Sequence, residues 1–364
     1  MSGSIFGTRF QISTWGESHG KALGVTIDGC PAGLFLSEED VQKELDRRRP
    51  GQNPFGTMRQ EADAVTILSG VFEGRTTGTP IAMIVYNKDH HSTDYGNLAT
   101  CFRPGHADYT FTKKYGFRDY RGGGRSSGRE TLSRVAAGAV AKKLLQEMGI
   151  SLLAYTSQIG PICCETFLEE EIKKNPLCMP DAVAYEKAAT FLEQCKKDQN
   201  SAGGVVCCRV DGVPAGLGAP VFEKLDALLA QAMLSIGAVK GFEMGDGFAA
   251  SCSTGFENND FFTAVNGTIQ KETNHSGGVL GGISDGSPLF FRVAFKPTPS
   301  IAKAQPTVDE TGSPLSLSIH GRHDPTVVPR AVVVVEAMAA LVLVDLLMEN
   351  ATSSMDRLLA AYGK

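Results

Sequence analysis

The feature that most constrains this chain is that it repeats itself. Ile27-Asp28-Gly29-Cys30-Pro31-Ala32-Gly33-Leu34 is restated by Val210-Asp211-Gly212-Val213-Pro214-Ala215-Gly216-Leu217. Ile67-Leu68-Ser69-Gly70-Val71-Phe72-Glu73-Gly74 is echoed by Val279-Leu280-Gly281-Gly282-Ile283-Ser284-Asp285-Gly286. Gly124-Arg125-Ser126 and Gly321-Arg322-His323 then each lead into an apolar stretch. The order strand, turn, helix, hairpin, loop, apolar helix therefore occurs twice, in halves of about residues 1–160 and 200–364. Two such halves predict an α+β fold in one domain over residues 1–364. It would be a layered β-α-β sandwich of two pseudo-equivalent halves, with central helices between antiparallel sheets. Arg125 and Arg322 would be pseudo-equivalent across a twofold axis and converge on one site.

The first of those loops, Arg121-Gly122-Gly123-Gly124-Arg125-Ser126-Ser127-Gly128-Arg129-Glu130, runs straight into Thr131 to Leu145, almost all apolar or small. Ser126 or Ser127 is placed to cap that helix, with Glu130 reaching back as in a capping box. A helix entrance directs unpaired N–H groups and the positive dipole end outward. Arg121, Arg125, Arg129 and Arg134 add cations where the dipole already disfavours them, which predicts an anion, most naturally a phosphate or carboxylate. No Gly-Lys-Ser/Thr follows, so this is not a Walker-type loop.

The 35 Lys and Arg against 40 Asp and Glu give a formal charge of −5, without the basic footprint of a nucleic-acid binder. Glycine, at 41 residues, is well above its usual share of ~7%. Nine cysteines with no C-x-x-C predict a reduced, intracellular chain without a disulfide framework. The N-terminal residues contain no apolar signal-type stretch. The apolar run Ala331 to Leu347 is interrupted by Glu336 and Asp345 and is too short and charged to cross a bilayer. A cytoplasmic protein without membrane contact is expected.

In chain order, Phe6 to Trp15 reads as one strand ending in Gly16-Glu17-Ser18-His19-Gly20, where flanking glycines let an imidazole approach a ligand. Leu23 to Ile27 is a second strand. Ser37-Glu38-Glu39-Asp40 starts a helix that ends at Arg47-Arg48-Arg49, cations favoured at a C-terminus whatever else they do. Val65 to Leu68 and Ile81 to Tyr86 form a hairpin. Residues 87–120 read as a long polar loop holding Asp89, His90, His91, Arg103, His106 and Asp108. Its spacing matches no zinc pattern, so no metal is expected. In the second half, the strand Leu289 to Phe295 ends in Lys296-Pro297-Thr298-Pro299-Ser300. A lysine with hydroxyls two and four residues later, in a proline-stiffened turn, suits a second phosphate.

Together these segments resemble the chorismate synthase family over essentially the whole chain. The resemblance rests on six segments in family order. They are Gly16-Glu17-Ser18-His19-Gly20, Asp46-Arg47-Arg48-Arg49-Pro50-Gly51, Arg103-Pro104-Gly105-His106-Ala107-Asp108, the Arg121 to Ser127 loop, Lys296 to Ser300, and Arg322-His323-Asp324-Pro325. It implies a homotetramer of layered helices and sheets. It implies that 5-enolpyruvylshikimate 3-phosphate loses phosphate and a ring proton in an anti-1,4-elimination to chorismate, with reduced FMN that is not consumed overall.

The resemblance also implies roles. Ser18, Arg48, Arg103, Gly128, Arg129 and Arg322 would hold a substrate bearing two carboxylates and a phosphate. His19 would be protonated near the leaving phosphate, His106 would sit by the flavin, and Asp324 would help relay the proton taken from the substrate. FMN would lie against Arg125, Ser126, Ser127, Gly237, Ala238, Gly281, Lys296, Pro297, Thr298, Pro299, Ser300 and Arg322. Three positions depart from the family pattern: Pro54 for an arginine (with Arg59 nearby), Gly128 for an alanine, and Gly237 for an asparagine. No added domain is visible, so reduced flavin is expected from an outside supply rather than from an NAD(P)H-dependent activity of this chain. A phosphate-ligand binder without catalysis would have lost His19, His106 and Asp324, and all three are present. An unrelated flavin oxidoreductase would consume reductant at each turnover.

Overall fold

A computed structural model of the protein describes residues 3–49, 51, 62–87, 98–319 and 324–364. Pro54, Arg59, Asp89, His90, His91, Arg322 and His323 lie outside the described residues.

Two five-stranded antiparallel sheets form the outer layers. The first runs Ile5–Phe6, Gln11–Gly16, Ala22–Asp28, Ile81–Tyr86, Val65–Ile67. The second runs Ile162–Cys163, Ser151–Ile159, Gly204–Asp211, Leu289–Phe295, Val239–Met244. From the second strand onward the two orders match, and only the outer edge strand enters at a different point of the chain. The expected strand Phe6 to Trp15 is two strands, because Gly7, at φ 88°, turns the chain between them. Leu289–Phe295 alternates strictly, burying Leu289, Phe291, Val293 and Phe295 against the helices.

The repeated turns coincide down to their hydrogen bonds. Thr76 Oγ1 accepts from the Leu34 N–H at 3.0 Å and donates to the Pro31 carbonyl at 2.6 Å. Ser284 Oγ does the same for Leu217 at 2.9 Å and Pro214 at 2.6 Å. Gly29 and Gly212 both sit at φ 82°, a left-handed conformation that a side chain would strain.

Between the sheets lie Thr131–Glu147 and Val328–Asn350, flanked by Glu38–Arg48 and Leu225–Leu234. Thr131–Glu147 packs on the first sheet and Val328–Asn350 on the second. Val328–Asn350 is long and apolar enough to span a membrane, with a mean hydropathy of 2.5, but 83% of that window is buried inside the protein. It is apolar all round because it is covered all round. The two helices cross at Gly138, where an added Cβ would lie 2.3 Å from Ala337 Cβ. The acids that interrupt the apolar run are both engaged. Glu336 accepts from Arg47, Lys142 and the Ala154 N–H, and Asp345 accepts from the N–H groups of Thr8, Arg9 and Phe10.

The ends of Glu38–Arg48 follow local chemistry, with Ser37 and Asp40 forming a capping box. The entrance to Thr131–Glu147 does not form the expected one. Gly124–Ser126 and Gly128–Glu130 are single 3₁₀ turns, and the Ser127 hydroxyl accepts from the Arg129 N–H at 3.3 Å. Glu130 reaches forward instead of back, 2.9 Å from Arg134 Nε, so a charge pair along the helix replaces the box. The polar loop expected over residues 87–120 contains a helix, Asp108–Tyr115, closed by Gly116 at φ 83°.

Candidate active site

The N-terminal ends of both central helices open on one cavity of about 510 Å³. That volume is in the range of small-ligand sites. Gly128 to Thr131 and Arg134 enter it from the first helix, and Val327, Arg330, Ala331 and Val334 from the second. Two positive dipole ends therefore face the same space.

The first half supplies the Ser18-His19 corner. Asn87 pins that turn, its Nδ2 donating to the Glu17 carbonyl at 3.0 Å and the Gly20 carbonyl at 2.7 Å. His19 Nδ1 lies 3.0 Å from Ser18 Oγ. Gly122 explains why the adjacent loop is glycine: a Cβ there would fall 2.1 Å from His19 Nδ1. Arg125 spans the end of the sheet, donating to the Gly16 carbonyl at 3.1 Å and to Thr14 Oγ1 at 2.6 Å.

Beneath this corner, Asp63 bridges two guanidiniums. It accepts from Arg48 Nη1 at 3.1 Å and from Arg129 Nη1 at 2.8 Å, with no exposed side-chain surface. Arg48 also donates to Thr131 Oγ1 at 3.1 Å and to the Gly128 carbonyl at 2.9 Å, while Arg129 donates to Asn87 Oδ1 at 2.7 Å. Burial, then the nearby charge of Arg330, pushes Arg48 down to about 9. This corner carries more positive charge than its carboxylates offset.

A third cluster is organised by Asp108. Its two oxygens accept from Arg103 Nε and Nη2, each at 2.7 Å, and from the Arg103 N–H at 3.1 Å. His106 Nδ1 donates to Asp108 Oδ1 at 2.8 Å. Burial works to raise Asp108, but its bonds from Arg103 and His106 hold it well below the ordinary carboxylate range. It is therefore an obligate acceptor, which fixes the proton on His106 Nδ1 and leaves Nε2 for other chemistry.

The second half closes the far wall with Ser235 to Ala238 and with Lys296, Thr298, Pro299 and Ser300. Lys296 Nζ donates to the Gly105 carbonyl at 2.6 Å, tying its turn to the segment that carries Arg103 and His106. Burial, then Lys240, lowers the Lys296 pKa. Asp324 accepts from Arg330 Nη1 at 2.5 Å.

The residues expected from sequence to form one site mostly line this one cavity: Ser18, His19, Arg48, Arg103, His106, Arg125 to Arg129, Gly237, Ala238, Lys296, Thr298 to Ser300 and Asp324. Arg121 does not. It is exposed and paired with Asp119 at 2.6 Å. Gly281 stands in the turn between Val279–Leu280 and Ile283–Ser284, outside the cavity lining, and Pro297 is in the Lys296 turn without lining the cavity. At Gly128 and Gly237 an added Cβ would meet nothing within 4 Å, so the side chains missing relative to the family pattern leave open space. Sequence reasoning missed Asp63, Asn87 and Arg330. Arg330 carried a usable signal, a cation in the first turn of an apolar helix, while Asp63 and Asn87 carried none.

A pair of helix entrances enclosing guanidiniums, two imidazoles and the carboxylates of Glu130 and Asp324 has the make-up of an enzyme site. A family model for chorismate synthase matches residues 10–348. Chorismate synthases of Agathobacter rectalis and Lachnoclostridium phytofermentans are 59% and 60% identical, each aligned over 100% of both chains. That of Porphyromonas gingivalis is 54% identical over 94% of this chain and 95% of its own. A crystal structure of a chorismate synthase superimposes with a TM-score of 0.77 at 32% identity, covering 98% of this chain and 97% of that one. The chain belongs to the chorismate synthase family and is a lyase.

Proposed function

We propose that this protein converts 5-enolpyruvylshikimate 3-phosphate to chorismate by an anti-1,4-elimination of phosphate and a ring proton, in the presence of reduced FMN. The observation that carries this reading is the meeting of Arg48, Arg103, Arg129, His19, His106 and Asp324 around one cavity. A substrate with two carboxylates and a phosphate needs several forked donors, which guanidiniums supply and ammonium groups do not.

The chain's own residues divide the work. Arg48 and Arg129, bridged by Asp63, and Arg103, held by Asp108, bind and orient the anion, with Ser18 and the Gly128 backbone beside it; the family pattern adds Arg322 to this set. His19 protonates the departing phosphate and offsets its charge as the C–O bond breaks. Asp324 carries the ring proton away. His106, its Nδ1 committed to Asp108, would keep Nε2 available to the cofactor.

The far wall fits a phosphate-bearing flavin. Thr298 Oγ1 is buried with no hydrogen-bond partner among the described residues, in the same turn as Lys296 and the buried Ser300. That turn, with Arg125 to Ser127, Gly237 and Ala238, would hold FMN. When bound and reduced, FMN supplies the electron density that eases loss of an allylic phosphate. The reading extends to a single-domain, cytoplasmic homotetramer that receives reduced flavin from outside.

The test is an oxygen-free assay of chorismate formation with and without prereduced FMN. Chorismate should form only with reduced flavin, without net oxidation of it. Stoichiometric loss of reductant would overturn the reading.

A further inference from the structure

Arg330 has no role in the reading above, yet it occupies the cavity wall. It lies in the first turn of Val328–Asn350, where the helix dipole disfavours a cation. Its guanidinium is fixed on two sides. Nε donates to the Arg48 carbonyl at 3.1 Å and Nη1 to Asp324 Oδ2 at 2.5 Å. Nη2 makes no hydrogen bond among the described residues, and the side chain keeps 21% of its surface open. A long flexible side chain is thus held rigid with one pair of donors unspent.

The electrostatics point the same way. Arg48, Arg129 and Arg330 line this end of the cavity with Asp324, while Asp63 is buried between Arg48 and Arg129 outside the lining and Glu130 is taken up by Arg134. The charge of Arg330 is, after burial, the chief influence lowering Arg48 toward its neutral form. Asp324 answers only one of these costs, because it is a single carboxylate facing Arg330 while Arg48 stays beside it. An anion set against all three relieves both conflicts.

We propose that Arg330 is a further substrate-binding residue, donating from Nη2 to an anionic group of the substrate while its Nη1 orients Asp324. This deepens the proposed function and depends on it. Its immobilised geometry lowers the entropic cost that an arginine ordinarily bears on engaging a ligand. It also couples binding to chemistry: the group that grips the anion is the one that aims the carboxylate.

The experiment uses the full-length protein with FMN present. It measures 5-enolpyruvylshikimate 3-phosphate binding by calorimetry for wild type, Arg330→Gln, Arg330→Lys and Asp324→Asn, and steady-state kinetics under reducing conditions. Loss of a charge-assisted donor predicts roughly ten- to a hundredfold weaker binding for Arg330→Gln. Arg330→Lys should recover part of the affinity but not the turnover, since an ammonium cannot serve both Asp324 and the anion. Asp324→Asn should bind within about threefold of wild type while turning over slowly. Unchanged affinity in Arg330→Gln would overturn the assignment, as would an equal loss in Asp324→Asn, which would reduce Arg330 to a scaffold. If Arg330→Gln fails to fold, Arg330→Lys decides: wild-type turnover in it sinks the proposal. A wild-type protein that neither binds nor converts the substrate would instead sink the functional reading.

Discussion

Glu336 is buried in the apolar stretch of the central helix Val328–Asn350 and offers a sharp test of how this core is held. Its carboxylate accepts from Arg47 Nη1 at 2.6 Å and Nη2 at 2.9 Å, from Lys142 Nζ at 2.7 Å, and from the Ala154 N–H at 3.1 Å. Burial works to raise its pKa, but Arg47 and then Lys142 overcome that and hold it at about 2, against an ordinary 4.5. At about 1.4 kcal/mol per pH unit, the gap corresponds to roughly 3 kcal/mol of stability at neutral pH. Glu336→Gln keeps the shape and the acceptor for Ala154 but removes the charge. Arg47 and Lys142 then fall back on Glu44, at 2.7 and 2.9 Å, and the Arg47 side chain is 41% exposed. The loss should therefore be about 2–3 kcal/mol, below the 3–5 of an abandoned buried pair.

The pH dependence distinguishes this account from a packing defect. The folded pKa lies below the unfolded one, so the contribution is whole above pH 4.5 and fades as pH falls toward 2. By pH 3 about 2 kcal/mol of it should be gone. Other carboxylates also titrate there, among them Asp181 and Asp260, but they are common to both proteins and cancel in the difference. Equilibrium urea unfolding of wild type and Glu336→Gln at pH 7 and pH 3 measures that difference. A gap below about 0.5 kcal/mol at pH 7, or one that persists on acidification, refutes the reasoning.

Gly122→Ala would drive a methyl onto the His19 ring, so turnover should fall by roughly 10²–10⁴-fold. Circular dichroism and melting should stay near wild type; normal kinetics would show that His19 does not need its position. Gly138→Ala overlaps Ala337 at the helix crossing and should cost about 1–3 kcal/mol, read as a lower urea midpoint. Asp63→Asn leaves Arg48 and Arg129 repelling each other without a shared carboxylate. Substrate affinity should drop about tenfold or more in calorimetry, and tighter binding would mean that Asp63 merely competes with the ligand.

Why the matched turns were readable while parts of the site were not comes down to range. The turns at Ile27 to Leu34 and Val210 to Leu217 are set by glycines at positive φ and by one hydroxyl each, so the same short string yields the same geometry. The two apolar helices were readable because burial over most of their length leaves little polar face to pattern. Arg121 was misread as an anion ligand because its pairing with Asp119, two residues away, was outweighed by the glycines that follow. Glu130 looked like half of a capping box, but Arg134 one turn on claimed it. Arg48 looked like an ordinary C-terminal cation, and no helical argument carries it into a cavity. Its place depends on Asp63, fifteen residues on, and on a bond to the Gly128 carbonyl eighty residues away. Local rules thus locate the helix entrances and their cations, and tertiary contacts decide which cations are spent on protein carboxylates and which keep a donor for the ligand. Arg330 is where both kinds of information meet: the dipole marks it in the sequence, and only the fixed Nε and Nη1 contacts show which of its nitrogens remains to bind.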